Sequence, residues 1–496
     1  LNYDFVITGS GLGGLVSGII LAKEGHSVCI LEKNHKPGGN LQTFERFGHS
    51  FNTGLHYIGS MEEGQTLHRF FNYLGIAGKL PLVKMDEDGY DRIVFGEEET
   101  VYRHAQGWER FEEEMERQFP SERDSISTYV KSIRDIIRSI PLYDLENAST
   151  PRLEMSQLNR CTMDFLRGIT RNRRLISVLA GANSIYHGAA GRTPLYLHAC
   201  IRNSFVSSAW RIKGGSDKLT DLLAETFTSL GGKILTGAEV TGFIPQNDRI
   251  ASVELRDGRR IEGKQFISNL HPGATLKLTG LETLRKSYRH RIENLENTAG
   301  FFSLYLVFRE NTFPYLNHNL FQYYHDDYFK DDLPEEKWPH TYMIYTPYHD
   351  DNKGFTKTAS ILTFMKNEQY RQWENLAAAG RGEDYRGFRE MASQKLLDAV
   401  EKRYPGIRSS VARFCDATPL TFADYTGTPG GSGYGILKDC HDPVRSIITP
   451  KTKIPNLFFT GQNLNIHGVL GTTISAIVTC SEFTGFRNLV NKIVHA

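Results

Sequence analysis

Tyr3-Asp4-Phe5-Val6-Ile7-Thr8-Gly9-Ser10-Gly11-Leu12-Gly13-Gly14 decides the fold. An apolar run feeds into G-x-G-x-x-G and a helix-forming stretch follows, the strand–turn–helix context in which these glycines carry meaning. Gly9 permits the tight turn, and Gly11 lets backbone N–H groups approach a pyrophosphate. Gly14 lets the helix pack close to the strand, its positive end aimed at the phosphates. A second apolar run, Ser27-Val28-Cys29-Ile30-Leu31, ends in Glu32 and Lys33. Glu32 stands near the spacing expected for a carboxylate that accepts from ribose hydroxyls. Strand, helix and acid in register predict a dinucleotide site rather than an ordinary βαβ turn.

Working outward, Pro37-Gly38-Gly39-Asn40 supplies a second glycine pair after the ribose acid. That pair points to an extended flavin dinucleotide, FAD, rather than a nicotinamide one. Residues 61–204 carry charged helical periodicity, as in Glu109–Arg117 and Ile126–Ile140, and predict a mostly helical cap. Near residue 205 the nucleotide pattern resumes. A helix from Lys218 to Leu230 stops at Gly231-Gly232, and Lys233 to Ile244 alternates as a strand. Arg249–Leu255 and Arg260–Ile267 form a hairpin through Asp257-Gly258, with Val240 placed near an adenine. Residues 281–444 read as a substrate domain whose aromatic strands, such as Phe301–Phe308, form one face of a sheet; a greasy slot for a long apolar ligand is compatible with this.

The last segment returns to the nucleotide fold. Leu457-Phe458-Phe459-Thr460-Gly461-Gln462 is a buried strand, and Gly471-Thr472-Thr473-Ile474 opens a long helix. A second helix N-terminus suits the pyrimidine end of a flavin, where negative charge builds on reduction. The fold class is therefore α/β, with a discontinuous Rossmann-like FAD domain of residues 1–60, 205–280 and 445–496, a mixed-sheet substrate domain and a helical insertion.

Composition narrows the partners. The 496 residues exceed one core, and a net charge of +1 with mixed signs excludes a nucleic-acid footprint. Six scattered cysteines without a C-x-x-C pair predict reduced thiols in a reducing compartment, with no metal site; Cys161 and Cys200 have no fixed histidine partner, and His340, His349, His441 and Asp442 read as solvated. No run approaches the ~20 apolar residues of a membrane-spanning helix. Leu1 already lies inside the nucleotide fold, which is compatible with a removed leader.

The G-x-G-x-x-G…Glu…Pro-Gly-Gly opening resembles the phytoene desaturase and carotenoid isomerase-type FAD oxidoreductases, relatives of the amine oxidases. So do Thr418-Pro419-Leu420-Thr421…Tyr425-Thr426-Gly427…Gly431-Ser432-Gly433-Tyr434-Gly435 and the closing Pro455–Gln462. Phe51-Asn52-Thr53-Gly54-Leu55-His56-Tyr57-Ile58-Gly59 is similar to the retinol saturase branch of that group. Two positions depart from the wider pattern: Gln462 and Asn52 stand where relatives often carry Asp.

The resemblance implies hydride transfer at a C=C bond of a long apolar polyene or isoprenoid, with a protein acid supplying the proton. His56 and Tyr57, on the segment expected along the flavin ring, are the first candidates, His56 because its ordinary pKa lies near neutrality. His467 is the second, followed by Tyr434, while Tyr186 and His187 read as structural. A saturase is the leading expectation. A desaturase, an isomerase using reduced flavin, and a non-catalytic flavin-containing lipid carrier stay open. No second dinucleotide fingerprint is visible, so NAD(P)H is at most a transient donor, beside a protein or a quinone. A bilayer-borne substrate implies a cytoplasmic-side protein, soluble or in peripheral membrane contact; the oligomeric state is open.

Overall fold

The opening run forms the strand Asn2–Thr8, flanked in parallel by Val28–Leu31 and by Arg260–Ser268. The computed structural model describes residues 2–140, 142–143, 145, 155–189, 191–280, 284–324, 334–350 and 353–496. Lys233–Leu235 extends the parallel sheet beyond Val28–Leu31. Arg260–Ser268 serves two neighbours. Its first half carries the antiparallel meander Val240–Gln246 and Arg249–Leu255, and its last residues pair in parallel with Leu457–Phe459. Both extremities of the chain therefore enter one seven-stranded sheet. Val28–Leu31 is buried at every position, as expected of a parallel strand covered on both faces. Helix Leu12–Lys23 packs against Gly468–Thr484 and Asp217–Ser229.

The stretch from Lys233 to Ile244 is not one strand. It breaks at Gly237, whose φ of +62° turns the chain out of the parallel sheet and into the meander.

A second seven-stranded sheet runs in the order Val411–Ala417, Gly300–Phe308, Thr358–Met365, Thr341–Tyr345, Asn319–Tyr323, Asp91–Phe95, Tyr102–His104. Gly300–Phe308 is buried throughout, so both of its faces are covered. The two-residue period divides the labour. Phe302, Leu304, Leu306, Ile344 and Ile361 pack with Leu396 and Val400 of helix Gly382–Arg403. Phe301, Met343, Tyr345 and Leu362 turn the other way, toward an internal cavity.

Two of these strands lie within residues 61–204, whose regular structure among the described residues is otherwise helical apart from the short strand Leu82–Lys84. Asp91–Phe95 and Tyr102–His104 complete the mixed sheet, the former parallel to Asn319–Tyr323. The rest of the insert includes the helices Trp108–Gln118, Arg123–Arg138 and Leu195–Ser207. The portion of the helical expectation on residues 146–154 lies outside the described residues.

The cysteines also depart from expectation. Cys161 and Cys440, 279 positions apart, form a disulfide with 5.4 Å between their Cα atoms. Spacing could not reveal it, because the pairing depends on the insert folding back against the 440 loop. Cys161 does have a histidine neighbour: His441 Nε2 lies 3.9 Å from its Sγ and 2.9 Å from the Gly191 carbonyl oxygen. Cys29, Cys200 and Cys480 are buried thiols. No helix among the described residues is long and apolar enough to cross a membrane.

Candidate active site

The glycine turn is held by contacts that only glycine allows. A Cβ on Gly14 would lie 2.1 Å from the Gly9 carbonyl oxygen, and one on Gly13 would lie 2.7 Å from the Gly461 Cα. Gly9 itself sits at φ +91° and donates its N–H to the Leu31 carbonyl at 2.8 Å. Helix Leu12–Lys23 has Gly11 as its N-cap and no side-chain cap. Helix Gly468–Thr484 is likewise uncapped by its N-cap residue, His467. The opening residues of both helices line one cavity of about 590 Å³. Two uncapped helix N-termini facing one space concentrate unsatisfied N–H groups and positive potential there, which fits a ligand carrying phosphates and a reducible, anion-forming ring.

Gly9, Gly11, Glu32, Lys33, Gly38, Gly39, Asn40 and Val240 all line this cavity, with Gln462, Gly471 and Thr472 from the end of the chain. Glu32 is 5% exposed. Its Oε2 accepts from Ser10 N at 3.1 Å and Ser10 Oγ at 2.5 Å, and its Oε1 from Asn34 N at 2.9 Å. Oε1 therefore keeps a lone pair for a ligand hydroxyl. Lys33 donates to the Asp424 carbonyl at 2.8 Å, and burial lowers its pKa.

Four of the predicted residues stand behind the wall instead of in it. Gly14 and Gly461 serve the packing of the turn, Thr473 donates to the Val469 carbonyl at 2.8 Å, and Ile474 belongs to the core. Asn269 was missed. It follows strand Arg260–Ser268, lines the cavity and donates to the Gly9 carbonyl at 3.4 Å. A polar residue at the carboxyl end of a buried parallel strand is the signal that could have found it.

His56, Tyr57 and His467 also line the cavity. The two histidines are similarly mounted. His56 stacks on Tyr345 with centroids 4.4 Å apart and planes 7° from parallel, and His467 lies against Tyr434 at 4.5 Å with the planes tilted by 32°. In each ring Nε2 is buried without a hydrogen-bond partner, the condition expected of a group that completes its bonding on a ligand. Burial pushes both rings down to about 3, helped by Arg211 for His56 and by Lys438 and His187 for His467. Both are thus neutral near pH 7, which corrects the expectation that His56 retains a near-neutral pKa suited to an acid. Tyr57 stacks on Phe205 at 4.3 Å and donates its hydroxyl to Asp91 Oδ2 at 3.3 Å. Tyr186 hydrogen-bonds His198 at 2.8 Å, away from the wall.

Charge is unevenly distributed. Glu32, Lys33, Glu239 and Lys277, all from the elements around the parallel sheet, are the charged residues of the wall. The walls from the insert and the mixed sheet, including Ile201, Phe205, Phe301, Met343 and Leu362, bring none among the described residues. Among the described residues, the grouping with metal-ligand spacing is Cys161, Cys440 and His441, whose two sulfurs are joined to each other.

Comparison with known proteins agrees with this architecture. The sequence profile described as flavin containing amine oxidoreductase matches residues 12–480. The chain is 24% identical over 532 residues to all-trans-retinol 13,14-reductase of Danio rerio, covering 98% of this chain and 87% of that one. It is 22% identical over 458 residues to chloroplastic prolycopene isomerase of Daucus carota, covering 88% and 72%. An oxidoreductase of known structure from Methanosarcina mazei shares the fold, with a TM-score of 0.66 at 14% identity over 96% of this chain and 99% of that one. Since the match runs from the glycine turn to the last long helix, the chain belongs to the flavin containing amine oxidoreductase family, and it is a flavin-dependent oxidoreductase.

Proposed function

We propose that the protein binds FAD and reduces a C=C bond of a long, uncharged polyene. The observation that carries this reading is that, among the described residues, the cavity walls of the insert and mixed sheet carry no charge, beside four charged residues at the nucleotide end. An ammonium substrate would lose its hydration there with no carboxylate to replace it, whereas a hydrocarbon gains about 25 cal/mol per Å² buried. The names of the relatives, a retinol reductase and a prolycopene isomerase, support a polyene substrate.

FAD, when bound, supplies hydride chemistry at its ring. Glu32 would hold the adenosine ribose, the turn Gly9–Gly14 and its helix the pyrophosphate, and Gln462, Gly471 and Thr472 the far end. Phe205, Phe301, Met343 and Leu362 exclude water from the reacting carbons and hold an extended chain. His56 and His467, neutral and each with an open Nε2, orient bound groups by hydrogen bonds. Saturation adds a hydride to one carbon and a proton to its neighbour; the two electrons come from a donor such as NAD(P)H acting transiently.

The test is anaerobic incubation of the protein, reduced with dithionite, with all-trans-retinol. A product heavier by two hydrogens is expected. Product of unchanged mass but altered geometry would move the assignment to isomerase, the reading the prolycopene isomerase relative favours. Oxidation of a primary amine with the polyene untouched would overturn the proposal.

A further inference from the structure

We infer that Asp91, buried behind the cavity wall, is a positioning residue that governs proton delivery through Tyr57. The inference rests on the reading of the site as one where a C=C bond is reduced, which requires a proton at one carbon. The wall histidines are poor sources of it, because burial keeps both rings uncharged.

Asp91 opens the strand Asp91–Phe95 and is 0% exposed. Its Oδ1 accepts from Asn319 Nδ2 at 2.8 Å and its Oδ2 from the Tyr57 hydroxyl at 3.3 Å. Two buried arginines act on Asp91, Arg202 through space and Arg211 indirectly. One Arg211 nitrogen bonds Asn319 Oδ1 at 3.1 Å and the His318 carbonyl at 3.0 Å, while the other reaches the His56 carbonyl at 3.4 Å. Among the described residues no salt bridge reaches Asp91. The titratable and charged groups facing it are Tyr57, Tyr90, Arg202, Arg211 and Tyr345, with His104 opposite it on the adjoining strand. Burial holds His104 neutral. Burial also raises the Asp91 carboxyl to about 6, against the opposing pull of Asn319, Arg202, Tyr57 and Arg211.

The two protonation states of Asp91 give Tyr57 two different roles. An ionised carboxylate has only acceptors, so the Tyr57 hydroxyl keeps its proton and donates it in a hydrogen bond to Asp91. A protonated carboxyl donates to Tyr57 Oη instead, and the phenolic proton is released for another acceptor. With hydride chemistry supplied by FAD when bound, the neighbouring substrate carbon would form its C–H bond with the Tyr57 proton. The Tyr57 O–H bond breaks, the Asp91 proton moves to Tyr57 Oη, and the carboxylate left behind regains a proton from solvent. Charge and electrons balance with the hydride as the sole reductant.

Infrared titration of the oxidised protein between pH 5 and 8 tests this without turnover. A protonated-carboxyl band that disappears with a midpoint near 6, and is missing in Asp91→Asn, is expected. A wild-type protein with no such band overturns the inference, whether or not polyene reduction is found. Kinetically, wild-type kcat should fall as pH rises through that midpoint. Asp91→Asn should lower kcat roughly 100-fold with KM little changed and remove the pH dependence. Tyr57→Phe should show a comparable kcat loss while keeping the band, which covers the case of an Asp91→Asn protein that does not fold. Wild-type kcat and pH profile in folded Asp91→Asn would refute the role even if reduction itself is confirmed; absence of any polyene reduction in wild type would instead remove the functional reading and leave the infrared result to judge Asp91.

Discussion

Gly14 has no room for a side chain. A methyl 2.1 Å from the Gly9 carbonyl oxygen must push helix Leu12–Lys23 off the turn, and overpacking of this kind costs about 1–3 kcal/mol. That strain falls on the turn offered to the dinucleotide, so Gly14→Ala should lose roughly tenfold or more in flavin retention. Visible absorbance of the purified variant checks this, and full yellow colour would contradict it. The glycine pattern was legible because its steric demand is local to a dozen residues. The neutrality of His56 was not, since it comes from burial beside Tyr345 and Arg211, which only the folded chain brings there. Asp91 was invisible for the same reason: its partners Tyr57 and Asn319 lie on separate elements.

At the scale of elements, covalent and ionic links fasten the insert to the loop around residue 440. The disulfide joins Cys161 of the insert to Cys440. Beside it, Arg192 pairs with Glu296 at 2.7 Å and Asp439 at 2.9 Å. Closing so long a loop restricts the unfolded chain, and a native disulfide typically contributes about 2–4 kcal/mol. Cys161→Ser should therefore lower the denaturation midpoint by a corresponding amount under non-reducing conditions. An unchanged midpoint would show that the bridge adds nothing. Long amphipathic helices such as Arg123–Arg138 were legible from periodicity, because one apolar face suffices to announce them. The strands Asp91–Phe95 and Tyr102–His104 were not. They are short, begin or end in buried polar residues, and the first takes its register from Asn319–Tyr323, more than two hundred positions away.

The whole molecule buries many imidazoles. His56, His198, His318 and His467 are pushed down to about 3, and His187 to about 4, in each case chiefly by burial. A histidine whose folded pKa is depressed binds protons more readily once unfolded, so its contribution to stability is present above about 6.5 and declines as pH falls toward 3–4. Within that window each costs about 1.4 kcal/mol per pH unit. Asp91 has the opposite sign. Raised to about 6, its contribution is present below its unfolded value and lost as pH rises through 6. The depressed histidines, joined by His104 and His271, outnumber the raised carboxyls Asp91, Asp221 and Asp416, so the unfolding free energy should drop between pH 7 and pH 5. Urea denaturation at the two values measures it, and equal or greater stability at pH 5 would contradict the burial of these rings.

The discontinuous nucleotide fold was readable at this scale because both chain ends carry buried strands followed by glycine-led helices, and the structure places those strands on opposite sides of Arg260–Ser268. The shared cavity between the two helix N-termini is the claim on which the rest depends. Its most direct measurement is chromatography of the cofactor released when the purified protein is denatured. One FAD per chain is the predicted result. A colourless protein that takes up no FAD when it is supplied would contradict the account.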